Sequence, residues 1–390
     1  MAYSSNSPFR LLFVCFFFFA PAMAVYNVVD YGARSDGRSD SSKSFLQAWN
    51  AACSSKGPSA IYVPKGRFLL SQTKFEGPCK NNRIDIHIYG TLMAPNYQSL
   101  ASHDRWLTFD SVRGVSIYGG ILDGQGRALW ECKNADRSCP GGTASLTFNN
   151  AEKILISGLT SVNSELGHIA LEGCRNCKVQ RVQIVADGNS PNTDGIHVQR
   201  SEGVSILSTG IKTGDDCISI GPGTANLFVQ DVTCGPGHGI SIGSLGKDMN
   251  EDGVQNVTVR RVVFTGTQNG LRIKSWGRPS NGFVHGVVFQ DAIMNNVDNP
   301  IIIDQNYCPR NQGCPNQYSG VKISGVKYNN IRGTSGTEVA LKLDCSGSNP
   351  CKGIGLENIK LTFQHRPAES SCRNVHGTTS GLVVPRCSKT

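Results

Sequence analysis

Six apolar-x-apolar triplets recur through the middle of the chain: Ile169-Ala-Leu171, Ile196-His-Val198, Ile218-Ser-Ile220, Ile240-Ser-Ile242, Leu271-Arg-Ile273 and Ile301-Ile-Ile303. Their first residues stand 27, 22, 22, 31 and 30 positions apart. That period is too long for a hairpin meander and suits one turn of a solenoid. A second set of strand-like runs interleaves with the first, among them Lys153–Ile156, Cys177–Ile184, Val204–Ile206, Leu227–Val229, Val257–Val259, Val284–Phe289, Val321–Ile323 and Ile354–Leu356. Gly- and Asn-rich turns separate them, and helical 3.6-residue periodicity is nearly absent. A leucine-rich horseshoe would need a regular Leu/Asn consensus and a helical stretch in every turn, and neither is present. The expected fold is therefore all-β, a right-handed parallel β-helix, whose loops leave from the corners and so tolerate coils of unequal length. In each triplet the first and third side chains should stack inward while the middle one points out, because strands alternate with period two.

A single helix is expected, near the start. Ser41 or Ser42 would cap it, and Phe45, Leu46, Trp49 and Ala52 would form its apolar face. A solenoid end exposes its core, and such a helix can cover it.

The first residues read as an export signal. Arg10 supplies positive charge, Leu11–Ala20 is apolar but too short to span a bilayer, and Ala22-Met-Ala24 is a small-x-small cleavage pattern. Residues 1–24 are thus assigned to the signal and 25–390 to one β-helix domain, since no linker or charge block divides them. No later run is apolar enough for a membrane span. A secreted, extracellular chain should form disulfides. Of 15 cysteines, Cys15 leaves with the signal. The other 14 fall into neighbours, and sequential pairing is the simplest reading: Cys53/Cys79, Cys132/Cys139, Cys174/Cys177, Cys217/Cys234, Cys308/Cys314, Cys345/Cys351 and Cys372/Cys387. Zinc would want a second Cys-x-x-Cys after Cys174-Arg-Asn-Cys177, and none follows. The net charge of +9 suits a polyanionic partner. Nucleic acid is the wrong compartment for an exported protein, so an acidic glycan is the better candidate, although charge alone fits a basic protein with no anionic partner equally well.

Aligning the coils on the first residue of each triplet produces a row. Two positions before Ile196, Ile218 and Ile240 stand Asp194, Asp216 and His238. Parallel strands lie about 4.8 Å apart, so these three should line one face of one sheet. Asp215 should point away at a different angle, still within a few ångströms. In the next coil Arg272 and Lys274 share the outward parity. Each feature alone is bland: Asp before Gly is usually a turn residue, Asp215-Asp216 could bind calcium, and Arg272 and Lys274 could be a solvated strand face. Together they are what chemistry on a polyuronide requires, with cations to hold a carboxylate and acids to protonate an oxygen and activate water. Asp123 and Asp304 read as single turn or strand-end acids.

Asn192-Thr-Asp194-Gly195, Gly214-Asp215-Asp216-Cys217, Gly237-His238-Gly239 and Arg272-Ile-Lys274 resemble, in order, the four motifs of the polygalacturonase family of glycoside hydrolases. Asn27–Gly32 resembles the mature start of its plant members, and Ile303-Asp-Gln305 with Tyr307 a later shared segment. The resemblance spans essentially the whole of residues 25–390. It implies hydrolysis of α-1,4-galacturonosyl links in de-esterified pectin, in the cell wall, with inversion. It also implies Asp215 as general acid, Asp194 and Asp216 as the groups that activate water, and His238 as an influence on the acid's protonation. Arg272 and Lys274 would bind the substrate carboxylate, Asn192 would line the cleft, and Tyr307 would meet the sugar on the leaving side. No metal or other cofactor and no membrane partner is implied, and a monomer is expected. Stacking distance by itself leans instead toward retention, because carboxyl groups about 5–5.5 Å apart mark retaining enzymes.

Endo action is slightly favoured over exo. A pectate lyase on the same fold would use the acids for calcium and an arginine as base, a glycan-binding β-helix could dispense with the acids, and a rhamnogalacturonan hydrolase would have less use for Arg272 and Lys274. The sequon Asn256-Val-Thr258 marks Asn256 as a glycosylation candidate.

Overall fold

Isoleucine and valine at alternate positions fit a pleated, buried surface, and here they build it. A computed structural model describes residues 1–3, 23–101, 103–135 and 137–387; residues 4–22 of the expected signal lie outside it. The chain winds as a right-handed parallel β-helix. One parallel sheet contains the triplets. Its eleven strands, in chain order, are β1 (Thr73–Glu76), β2 (Arg105–Asp110), β3 (Ala144–Asn149), β4 (Ile169–Glu172), β5 (Ile196–Gln199), β6 (Ile218–Ile220), β7 (Ile240–Leu245), β8 (Asn269–Trp276), β9 (Asn299–Tyr307), β10 (Val339–Asp344) and β11 (Glu369–Arg373). The interleaved strands form a second, 21-stranded sheet around the other sides.

Register follows the triplets without a slip. Ile169, Ile196, Ile218, Ile240, Leu271 and Ile301 are successive partners, as are Leu171, Val198, Ile220, Ile242, Ile273 and Ile303. All twelve side chains are fully buried. Burial of each contributes roughly 1.5–3 kcal/mol, and a one-residue slip would turn the whole set to solvent. One continuous hydrophobic core runs from Val28 to Val383.

The helix near the start is α1 (Ser42–Ser54), which buries Phe45, Ala48, Trp49 and Ala52 against the first coils. Its cap differs from expectation. The Ser41 hydroxyl makes no capping bond. Asp40 accepts the Ser42 N–H at 2.9 Å instead, and a carboxylate there also suits the positive end of the helix. A second helix, α2 (Arg127–Asn134), was not anticipated. It is only two turns long, and Trp130 anchors it by donating its indole N–H to Ser164 O at 3.1 Å. No helix among the described residues is long and apolar enough to cross a membrane.

Six of the expected disulfides are formed: Cys53–Cys79, Cys132–Cys139, Cys217–Cys234, Cys308–Cys314, Cys345–Cys351 and Cys372–Cys387. Cys174 and Cys177 correct the seventh expectation, for both are free and buried. They flank a turn with each sulfur against a backbone carbonyl, Phe148 O at 4.0 Å and Arg175 O at 3.6 Å, and so fill the core as small apolar groups. A hydrogen bond from Cys177 and burial together push the Cys174 thiol up.

Candidate active site

The stretch before each triplet enters the sheet as a turn, and three such turns in adjacent coils bring the polar groups together. Asn192 adopts a left-handed backbone (φ 57°), which asparagine tolerates. Behind it Thr193 is fully buried and braces the next coil, its hydroxyl accepting the Gly214 N–H at 3.1 Å. In the third coil Gly237 and Gly239 flank His238 with φ of +149° and +85°. A Cβ at Gly239 would collide with the carbonyls of Asn269 and Gly270, so only glycine lets the histidine loop lie this close. The Cys217–Cys234 bridge fixes the strand that leaves Asp216.

Asp216 is the electrostatic centre. It is 2 % exposed. Its Oδ1 accepts from Ser241 Oγ at 2.8 Å and from Arg272 at 2.6 Å, and its Oδ2 accepts from Lys274 Nζ at 2.8 Å. Burial works against its charge, but Arg272 and Lys274 outweigh it and hold the carboxyl below its ordinary value. The two cations are therefore not a solvated face. They are about 10 % exposed and contact Asp216, while Lys274 also lies 5.2 Å from the Tyr307 ring.

Asp215 departs from its expected direction, because it turns into the same cleft. Its Oδ1 lies 3.0 Å from His238 Nδ1, and its Oδ2 accepts from Asn192 Nδ2 at 3.4 Å. One side-chain atom each of Asp215, Asp216 and His238 falls within 4.8 Å of the others. That spacing could hold a metal ion, yet both oxygens of Asp216 are already bound by positive charge, and a divalent ion would have to displace Lys274 or Arg272. Asp194 sits one coil earlier and accepts from Ser219 Oγ at 2.6 Å. Desolvation, then the charges of Asp215 and Asp216, push its carboxyl up. Two adjacent carboxyls are thus driven in opposite directions, one held ionised and one inclined to keep a proton.

The cleft extends well beyond this cluster. On one side it reaches Arg105 and Glu172, and on the other Lys342 and Asp344. Asp304 is not solitary. It is paired in register between Lys274 and Asp344, lines the cleft, and is pushed up by burial. Asp123 ends a strand of the second sheet (Ile121–Asp123), accepting from Gln125 N at 3.1 Å. Sequence reasoning passed over Ser219 and Ser241, which touch the acids directly. Their signal was present, since both are middle residues of triplets flanking the row.

The chain matches Glycosyl hydrolases family 28 over residues 53–383. It is 56 % identical over 385 residues to a polygalacturonase of Prunus persica, covering 97 % of this chain and 98 % of that one. It is 43 % identical over 367 residues to an exopolygalacturonase of Platanus acerifolia, covering 93 % and 97 %. Among solved structures, an endo-xylogalacturonan hydrolase from Aspergillus tubingensis superposes with a TM-score of 0.80 at 22 % identity, covering 92 % and 99 %, which is a likeness of fold.

Proposed function

This chain belongs to glycosyl hydrolases family 28, and on that premise we propose that it hydrolyses pectin as a polygalacturonase, with Asp215 as proton donor and Asp194 and Asp216 as the groups that activate water. The observation that carries the assignment is the division of labour among three carboxyls in register: Asp215 against His238, Asp216 clamped by Arg272 and Lys274, and Asp194 on Ser219. Asp215 delivers its proton to the glycosidic oxygen as the bond to the anomeric carbon breaks. A water held by Asp194 and Asp216 attacks that carbon from the opposite face and gives up a proton to the carboxylate pair.

The state of Asp216 supports inversion. A retaining enzyme needs a carboxylate free to bond to carbon. Both oxygens of Asp216 are engaged by cations and a hydroxyl, which makes it a poor nucleophile and a good anchor for water. Arg272 and Lys274 keep Asp216 ionised and still line the cleft, where they can take up the uronate carboxylate beside Tyr307. Endo action is supported by the length of the cleft. From β2 to β10 it crosses eight strand spacings, about 38 Å at about 4.8 Å each, with lining residues on both sides of the acids. Six disulfides support action in an oxidising, extracellular space.

The test is Asp215→Asn with reducing-sugar release on polygalacturonate, together with wild-type product sizing over time and NMR of the first anomer formed. A folded mutant with wild-type turnover would refute the donor. Early oligomers support endo action and monomer alone refutes it, and retained anomeric configuration would refute inversion.

A further inference from the structure

The cleft contains a histidine that the mechanism above leaves unused. His197 is the outward middle residue of β5, one coil before Ser219 and in direct register with it. Its Nδ1 lies 2.8 Å from Ser219 Oγ, and its Nε2 lies 3.1 Å from Gln199 Oε1. Ser219 in turn donates to Asp194 Oδ2 at 2.6 Å. A continuous chain therefore runs Asp194–Ser219–His197–Gln199.

Counting hydrogens along that chain limits its states. Gln199 Oε1 only accepts, so His197 Nε2 carries a proton. A serine hydroxyl has one hydrogen. If Ser219 gives it to an ionised Asp194, then Nδ1 must also carry a hydrogen to donate to Ser219 Oγ, and the ring is an imidazolium. If the ring is neutral, Ser219 must donate to Nδ1, and Asp194 has to be protonated to donate to Ser219. One proton is thus shared between Asp194 and His197, and the serine hydroxyl is the switch.

We propose that His197 is a positioning residue for catalysis: as imidazolium, acting through Ser219, it holds Asp194 in the ionised form that can accept a proton from water. This rests on the reading of Asp194 as a water-activating group. The need is physical. Asp194 is pushed up by desolvation and by two neighbouring carboxylates, and without a compensating charge it would remain protonated over much of the acid range. Lys274 offers only part of that compensation, because its Nζ is bound to Asp216.

Other charged groups surround the histidine. Asp194 stands just before its own strand and Arg200 just after it, β4 brings Glu172, and Asp215 and Asp216 precede β6. Across the cleft stand Lys247, Asp248, Glu251, Asp252 and Lys274, and Arg105 and Asp104 line the far side. Glu172 is already paired with Arg105 at 2.7 Å, so it is not a free partner for the ring. Of these groups, Asp194 is the one joined to His197 through a hydrogen-bonded hydroxyl.

The experiment is the pH profile of kcat/KM on polygalacturonate for wild type, His197→Asn, His197→Gln, Ser219→Ala and Asp194→Asn, with a melting curve for each. The acid limb should move up by about one pH unit in both histidine variants and in Ser219→Ala, since loss of a nearby opposite charge or its bridge shifts a carboxyl by that order. Activity should recover toward wild type at higher pH. A purely structural or sugar-contacting role would instead scale kcat or KM equally at every pH and leave the limb in place, which would overturn the proposal. A shift in Ser219→Ala with none in the histidine variants would overturn it too, as would the reverse. If Ser219→Ala does not fold, either histidine variant decides by itself. Asp194→Asn separates the two readings. Full activity there refutes the base assignment, whereas an inactive Asp194→Asn with unmoved limbs elsewhere refutes only the relay.

Discussion

Replacing Asp216 by asparagine should cost the protein far more stability than the same change at its neighbour Asp215. Asp216 is 2 % exposed and neutralises two nearly buried cations, with Arg272 at 2.6 Å and Lys274 at 2.8 Å. The amide is nearly isosteric, so the cavity term is small. What remains is Arg272 and Lys274 facing each other's charge without the carboxylate that bridged them. Removing one partner of a buried ion pair costs about 3–5 kcal/mol. At about 2.1 cal/mol/K per residue, a chain of roughly 360 ordered residues has an unfolding entropy near 0.8 kcal/mol/K, so the melting temperature should fall by about 4–7 °C. Asp215 is more open, and its side-chain partners are His238 and Asn192. Asp215→Asn should shift melting by no more than about 1 °C, as surface-like changes do, while turnover falls by several orders of magnitude. Circular dichroism melts and reducing-sugar release on both variants check this. If Asp216→Asn melts within a degree of wild type, Asp216, Arg272 and Lys274 are not a charge-balanced unit and the account of the cleft fails.

Lys274→Met and Arg272→Lys should lose most of the preference for de-esterified over methyl-esterified pectin, because the ester removes the charge these side chains face. An unchanged activity ratio would count against it. His168 is fully buried, with desolvation pushing its ring down to about 3. The unfolded chain takes up that proton near pH 6.5 and the folded one does not, so stability should fall as pH drops from about 6.5 toward 3, by up to about 1.4 kcal/mol per pH unit. His168→Gln should flatten that slope in melting curves between pH 7 and 4, and an equal slope would refute the assignment. Alkylation of the unreduced, denatured protein should label Cys174 and Cys177 and no other cysteine in residues 25–390, as read by peptide mass. Asn256 is exposed at a coil corner, and glycosidase treatment of the secreted protein should lower its mass.

How much of this site could be read from the chain depended on where backbone parity holds. Within the triplets it holds. Aligning six triplets was therefore enough to place Asp194, Asp216 and His238 in adjacent coils, and Arg272 and Lys274 one coil beyond. Gly214-Asp215 lies in a bend before β6, where alternation has no meaning, and there the expected direction of Asp215 was wrong. Burial was also illegible. Arg272 and Lys274 have the outward parity of solvated residues, but the cleft around them is walled by the end of the next strand, at Tyr307, and by the segment around Glu251. The cap at Asp40 and the unpaired Cys174 and Cys177 were missed for a similar reason, because each depends on which atom faces which carbonyl or N–H. Ser219 and Ser241 were missed for want of chemical prominence. They occupy the middle position of the two triplets between His197 and Arg272, and a small hydroxyl there can be overlooked in a sequence. In the folded sheet that position is the point of contact between one carboxyl and an adjacent strand's cation or imidazole. Ser219 and Ser241 thus bind the two carboxyls, Asp194 and Asp216, that the sequence motifs carry.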